Sequence, residues 1–540
     1  MLDTPYYATL SYCWGNKNFV KLTRDNLKSF LESIPEEELP KTFTDAIFIA
    51  KELGLQYIWI DALCIVQGEP DHLDWIGECG KMRSIYGSAH FNIAATAATD
   101  ANGGCFTKIS NYSGGFLARV STKSYSCVRN FHSHNVYEAS TSETYLASRA
   151  WTLQERLLAP RTLYMGEQGI FWECRTIWAS EFLSEGSPDK LGSQLVVPEG
   201  VPWTWDDIVG LYSKAKLTNA ADRLPALSGI ARRQHEATGG HYIAGMWKEN
   251  LLRQLVWGCF MKGQRTEWQA PSWSWISVNA STQYWGYWNS TDDDLGSDEF
   301  ARVLDVWTTL AGPDPFGPVT DGELHLSCRA LVRGRYLAAE VREGMQDVIT
   351  IDASEERFTV SMDTLEDNST KPDEDLILLP LIGGRSGCRW LTLKKATNTT
   401  SSDKAGIKEP KNEVQSPQQN LLTMKHKNMP DESQPSFTNE FELSDQEESD
   451  AEDYEIESEE MLIMGLLVSP LISRKGVFRR VGSFRFCHKK PMHGPDLEKD
   501  HYTEFVRVME EIGASTAAFY CAEIQSDPGT PEMRYVMVLK

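Results

Sequence analysis

The sequence predicts an α/β fold: a parallel sheet at the N-terminal end, followed by a helical region and a β-rich C-terminal unit. Three observations predict it. Residues 6–98 read as strand, helix, strand, helix, strand, the order of a parallel sheet with crossover helices. The run YIWIDALCIV (57–66) is apolar apart from one acid, as a strand covered on both faces must be. From residue 300 onward, short apolar runs are separated by Gly, Pro and Asp, the punctuation of β structure.

Each element follows from its residues. YYATLSYCWG (6–15) reads as a strand ending at Gly15. TFTDAIFIAKELG (42–54) sets Phe43, Ala46, Ile47, Ala50 and Leu53 at helical spacing, with Thr42 or Thr44 as N-cap and Gly54 as stop. After the 57–66 strand, DWIGECGKMRSIYGSAH (74–90) places Trp75, Cys79, Met82, Tyr86 and Ala89 on one side of a single helix over 74–89. HFNIAATAA (90–98) is again strand-like, and its ligand site is expected at the carboxyl ends of the strands. A polar Gly/Ser-rich stretch (100–148) precedes a helix over 150–158 and a hairpin over 162–174 with its turn at Gly166–Gly169. Residues 205–260 read as mainly helical, and 461–488 and 516–540 as strands resuming the β-rich unit of 300–395. Between them, 396–460 is rich in Ser, Thr, Asn and Glu and poor in aromatics, the composition of a disordered insertion. The resulting division is 1–178, 179–299, 300–395, 396–460 and 461–540.

Composition narrows the function. The 540 residues exceed the usual single-domain length, and 17 Trp, several in close pairs, supply large packing area. The net charge is −23, but residues 431–460 hold 14 Asp/Glu and no Lys or Arg. The remainder is mildly acidic, with no basic stripe for a nucleic-acid backbone. Eleven Cys occur singly, without Cys-x-x-Cys pairs or a signal-type N-terminus, which predicts a reducing, cytoplasmic setting. No apolar run reaches the roughly 20 residues of a membrane span.

Among chemistry-bearing residues, Glu78 stands on the apolar stripe of the 74–89 helix. A carboxylate there either pairs with Tyr, Arg or backbone, or serves a reaction. Asp61, inside an apolar strand, divides the same way between bonding backbone amides and a functional role. Cys13 or Cys64 with His72 or His90 would make a nucleophile pair, but no local signature accompanies them. No metal-ligand spacing, Gly-x-Gly-x-x-Gly or P-loop occurs.

Four ordered segments carry a resemblance: YYATLSYCWG (6–15), LPKTFTDAIFIAKELGLQYIWIDALCIVQ (39–67), DWIGECGKMRSIYGSAHFNIAA (74–95) and SRAWTLQERLLAPRTLYM (148–165). In order and spacing they resemble the HET (heterokaryon incompatibility) domain of filamentous fungi. LPALSGIA (224–231), YIAGMW (242–247) and APSWSWISV (270–278) resemble the region that follows it in such proteins. The resemblance implies a role in non-self recognition between fused cells, ending in growth arrest or programmed cell death. It also implies a distant kinship with TIR domains, hence a flavodoxin-like parallel sheet. Many TIR domains cleave NAD⁺ at the nicotinamide bond with one glutamate in a Trp-Cys-x-x-Glu helix. Trp75-Ile76-Gly77-Glu78 stands in that place, one residue shorter and with Ile second.

By that kinship Glu78 is the expected catalytic carboxylate. Tyr12, Trp14 and Trp75 would stack on a flat ring, and Asp61 would orient a hydroxyl. NAD⁺ would be substrate, with no cofactor and no metal. The alternative is a non-catalytic death-signalling module that acts by self-association and partner binding. Either way oligomerisation accompanies activation, and the acidic insertion is a solvated spacer or a segment tuned by phosphorylation at Ser444, Ser449 or Ser458.

Overall fold

The structure, a computed structural model, describes residues 6–68, 73–106, 116–121, 126–131, 135–187, 204–265, 267–284, 295–337, 347–351, 357–364, 375–386, 460–471, 474–488, 501–521, 523–526 and 533–540. Met1–Cys388 and Glu459–Lys540 make one compact unit; the second, Arg389–Ser458, holds most of the predicted insertion and its three serines and lies outside the described residues.

The N-terminal elements are β1 (Tyr7–Ser11), α1 (Leu27–Glu32), α2 (Lys41–Glu52), β2 (Tyr57–Trp59), α3 (Asp61–Cys64), α4 (Leu73–Cys79), α5 (Met82–Gly87), β3 (Phe91–Ala94), β4 (Phe116–Ser121), β5 (Ser126–Phe131), α6 (Asn135–Thr141), α7 (Ala150–Leu158), β6 (Arg161–Gly166), β7 (Gly169–Cys174), β8 (Trp178–Ser180) and β9 (Leu183–Ser187). Seven strands form one sheet in the order β2-β1-β3-β6-β7-β8-β9. The first four are parallel, and from β6 the sheet continues as antiparallel hairpins. Alternation along β1 sorts its side chains. Ala8, Leu10 and Tyr12 pack with Phe43 and Ala46 of α2, while buried Thr9 and Ser11 face Asn92 of β3, whose amide oxygen accepts both hydroxyls at 3.0 and 3.2 Å.

The helix over 150–158 and the hairpin with Gly166 opposite Gly169 are as the sequence predicts. Elsewhere the structure corrects the reading. The 57–66 run is a strand only over Tyr57–Trp59, at the sheet edge, where it pairs with β1 alone. Asp61 ends it: its carboxylate accepts the Ala62 N–H at 2.6 Å, opening α3. The 74–89 helix is two helices interrupted at Gly80–Lys81. Thr42 lies buried inside α2 rather than capping it, whereas Gly54, at φ +77°, does stop the helix. The polar 100–148 stretch contains the β4–β5 hairpin and α6.

Beyond β9, α8 (Trp205–Tyr212) and α9 (Pro225–Thr238) pack with three fully buried indoles, Trp257, Trp273 and Trp275. Short strand pairs at 242–247 and 257–284 interrupt the predicted helical region. At the crossing of α7 and α9, a Cβ on Gly229 would meet the Gln154 Oε1 at 2.7 Å and the Leu158 Cδ1 at 3.0 Å.

The C-terminal region is β-rich, as predicted, and six of its strands close into a barrel. Val332–Leu337, Asp347–Ile351, Arg357–Met362, Val477–His488, Glu460–Pro470 and Asp375–Ser386 pair in that cyclic order, all antiparallel. Phe358, Phe484 and Phe486 fill it together with Phe505 and Val508 from the helix His501–Val508. The start of the 516–540 segment read as strand is instead the end of a helix, Ala514–Tyr520; its short apolar run suits either period.

Candidate functional site

A cavity of about 510 Å³ opens at the carboxyl ends of β1 and β2, a size suited to a small organic ligand. Four indoles line it: Trp14 follows β1, Trp59 ends β2, Trp75 lies on α4 and Trp151 on α7. Trp75 and Trp151 meet edge to face at 5.9 Å. Cys79 and Met82 continue that wall, so the stripe read from 74–90 does face one site, and Tyr86 is buried behind it.

Of the sequence-predicted residues, Tyr12, Trp14, Asp61 and Trp75 all line this cavity. Three of them form one assembly. The Tyr12 hydroxyl donates to Asp61 Oδ1 at 2.9 Å and the Trp14 indole N–H to Asp61 Oδ2 at 2.9 Å. Burial raises the Asp61 pKa, and these two donors and the Ala62 N–H lower it. Asp61 therefore fixes two aromatic rings as cavity walls. Gly15, at φ +69°, turns the chain behind Trp14, where a Cβ would strike Asp100 at 2.3 Å.

Glu78 is not among the cavity-lining residues. Its carboxylate pairs with the Lys81 ammonium at 2.7 Å, and its side chain is 22% exposed. The interruption at Gly80–Lys81 explains the placement: a stripe drawn through 74–89 assumes an unbroken helix, and the first helix ends at Cys79, one residue after Glu78. The cysteine–histidine pairs with His90 do not assemble either. Burial pushes the Cys13 thiol up to about 11, far from the thiolate form, and His90 meets Tyr6 and Phe91 instead of a thiol. His72 lies outside the described residues.

Besides Asp61 the cavity contains two carboxylates that the sequence reading passed over, Glu155 and Asp222, and Glu155 is the more buried. Glu155 stands on α7 one turn from Trp151 and is 9% exposed. Burial, with a smaller push from nearby Asp61, raises its pKa to about 7 against the lowering influence of Ser11, Arg149 and Tyr86. Spacing could have found it, since Trp151, Glu155 and Leu158 share a helix face. Arg149 donates to the Tyr12 carbonyl at 2.7 Å, tying the start of α7 to the end of β1. Asp222 completes the acids, accepting the Trp151 indole N–H at 3.2 Å.

Three carboxylates, four indoles and two tyrosines, Tyr12 and Tyr145, around one cavity suit a flat cationic ring joined to hydroxyl groups: the rings stack on it, and the carboxylates balance its charge and accept from hydroxyls. Among the described residues no cluster of His, Cys, Asp and Glu could hold a metal ion, and no helix is long and apolar enough to cross a membrane.

Comparison with known proteins places part of the chain. Residues 7–155 match the family model described as heterokaryon incompatibility protein (HET), a span from β1 to within α7 that contains both Asp61 and Glu155. No curated protein and no solved structure matches the chain. Residues 7–155 are thus a heterokaryon incompatibility (HET) domain, and most of the cavity wall belongs to it.

Proposed function

We propose that the HET domain binds NAD⁺ or a closely related nucleotide in this cavity and hydrolyses its nicotinamide–ribose bond, as the effector step of a heterokaryon-incompatibility response. The observation that carries the reading is the coincidence of a four-indole cavity with a buried carboxylate, Glu155, whose pKa is about 7. The parallel strand order β2-β1-β3 and the position of the cavity at strand carboxyl ends also suit a flavodoxin-like, TIR-related nucleotide site.

In this reading the pyridinium stacks against Trp14 or Trp75, and Tyr12 and Asp61 hold the wall. Bond cleavage leaves the electron pair on the ring nitrogen, so the leaving group is neutral and needs no acid, unlike an ordinary glycoside. Positive charge develops on the ribose, and the buried carboxylates stabilise it. Water then adds to the ribose C1′ and gives its proton to Glu155, a base poised near neutral pH. The catalytic role thereby passes from Glu78 to Glu155.

The test is NAD⁺ loss and nicotinamide release by the purified full chain at high concentration. Turnover is expected in wild type, reduced at least 100-fold in Glu155→Gln by loss of the base, and retained in Glu78→Gln. Loss in Glu78→Gln alone would return the role to Glu78. No nucleotide consumed at any concentration would leave the cavity as a binding site in a signalling module.

A further inference from the structure

The HET match ends at residue 155, yet the cavity does not. Lys216, Leu217, Thr218 and Asp222 close one side of it, from the segment between α8 and α9. That segment is fixed to the HET domain. The Lys216 N–H donates to the Ser148 carbonyl at 2.6 Å and the Ala150 N–H to the Lys216 carbonyl at 3.0 Å, a parallel bridge beside Arg149. Six residues after Lys216, Asp222 accepts the Trp151 indole N–H.

The lining charges are unevenly committed. Of the two lining cations, Arg149 is engaged with the Tyr12 carbonyl and faces Cys13, Asp61 and Glu155. The Lys216 side chain is exposed, and no hydrogen bond or ion pair holds its ammonium among the described residues. All four indoles and two of the three acids, Asp61 and Glu155, lie on the HET side, and the third acid, Asp222, accepts from Trp151; the exposed Lys216 ammonium therefore adds a basic group at the rim of an acidic, aromatic cavity. A ligand matching both has a cationic ring at one end and a phosphate or pyrophosphate at the other.

We propose that Lys216 is the phosphate-binding and specificity residue of this site, so that the ligand pocket is composite and the segment 216–222 selects phosphorylated nucleotides over their nucleosides. The assignment rests on the nucleotide reading above. The backbone of Lys216, not its side chain, makes the bridge, so substitution of the side chain leaves the wall in place.

The experiment measures binding of two probes to the full chain, ADP-ribose and nicotinamide riboside, for wild type, Lys216→Met and Lys216→Arg. Lys216→Met is expected to weaken ADP-ribose about tenfold, the scale of one charge-assisted phosphate contact, to flatten the salt dependence and to leave nicotinamide riboside unchanged. Lys216→Arg restores ADP-ribose binding. Unchanged ADP-ribose affinity in Lys216→Met, with wild-type NAD⁺ turnover intact, overturns the assignment and leaves the nucleotide reading standing. Equal loss of both probes makes Lys216 structural and also overturns it. Wild-type protein that binds neither probe removes both readings together.

Discussion

Glu155 keeps its proton to a pH at which an exposed glutamate has long since lost it. In the unfolded chain the group titrates near 4.5, and in the folded protein near 7. Between those values the folded state binds more protons, so the contribution of Glu155 to stability falls as pH rises and is fully unfavourable above about 7. The difference in unfolding free energy between wild type and Glu155→Gln should therefore shift toward the variant by on the order of 3 kcal/mol from pH 4 to pH 8. Denaturant titrations of both proteins across that range check it, and parallel curves would remove the raised pKa. Turnover, if Glu155 is the base, should run the opposite way. It should rise with pH through about 7, because only the ionised form accepts a proton from water. A protein that loses stability over the same interval in which it gains activity is what a buried general base requires.

At the scale of elements, α7 presents Trp151 and Glu155 to the cavity while Gly229 of α9 lies against its Gln154 and Leu158. Gly229→Ala should force the two helices apart. A loss of about 1–3 kcal/mol is expected, the usual range for overpacking, with weaker ligand binding as Trp151 moves; an unaltered thermal midpoint would show that Gln154 simply swings aside. How far such elements can be read from sequence depends on what defines them. α2, α7 and the β6–β7 hairpin were readable because their signals are local: a 3.6-residue period closed by Gly54, and two strands around Gly166 and Gly169. β2 was overread because an apolar run says that residues are buried, not that they stay extended, and Asp61 turns the chain into α3 by a hydrogen bond invisible to hydropathy. The stripe Trp75, Cys79, Met82 survived the break at Gly80 because both short helices face the same cavity, but Glu78 sits on the last turn before the break and pairs outward with Lys81. Closure of the barrel depends on pairing between strands far apart in the chain, such as Ser361 with Ser483, and no local pattern encodes that.

For the whole molecule, Arg480 is the most deeply buried of the charged residues that join the barrel to the tryptophan-rich region, beside the Lys262–Asp347 and Arg265–Asp363 pairs. Fully buried, it forms a forked pair with Asp363 at 2.9 and 3.1 Å, donates to the carbonyls of Leu255 and Trp257, and lies over the Trp257 ring at 3.3 Å. Arg480→Met would leave Asp363 with Arg265 at 3.3 Å as its remaining ion-pair partner and two carbonyls short of a donor. A destabilisation of about 3–5 kcal/mol is expected, the usual result of breaking a buried pair from one side; thermal unfolding measures it, and a loss below about 1 kcal/mol would show that Arg265 takes over. The barrel has a second property of consequence. Asp375–Ser386 and Glu460–Pro470 pair from Ile377 opposite Val468 to Ser386 opposite Glu460, the last rung. The chain thus leaves and re-enters the barrel across a single rung, whatever lies in residues 387–459. Lineages are free to lengthen, shorten or exchange the contents of that bracket without rewriting a strand, and an experimenter has the same freedom to place a reporter there.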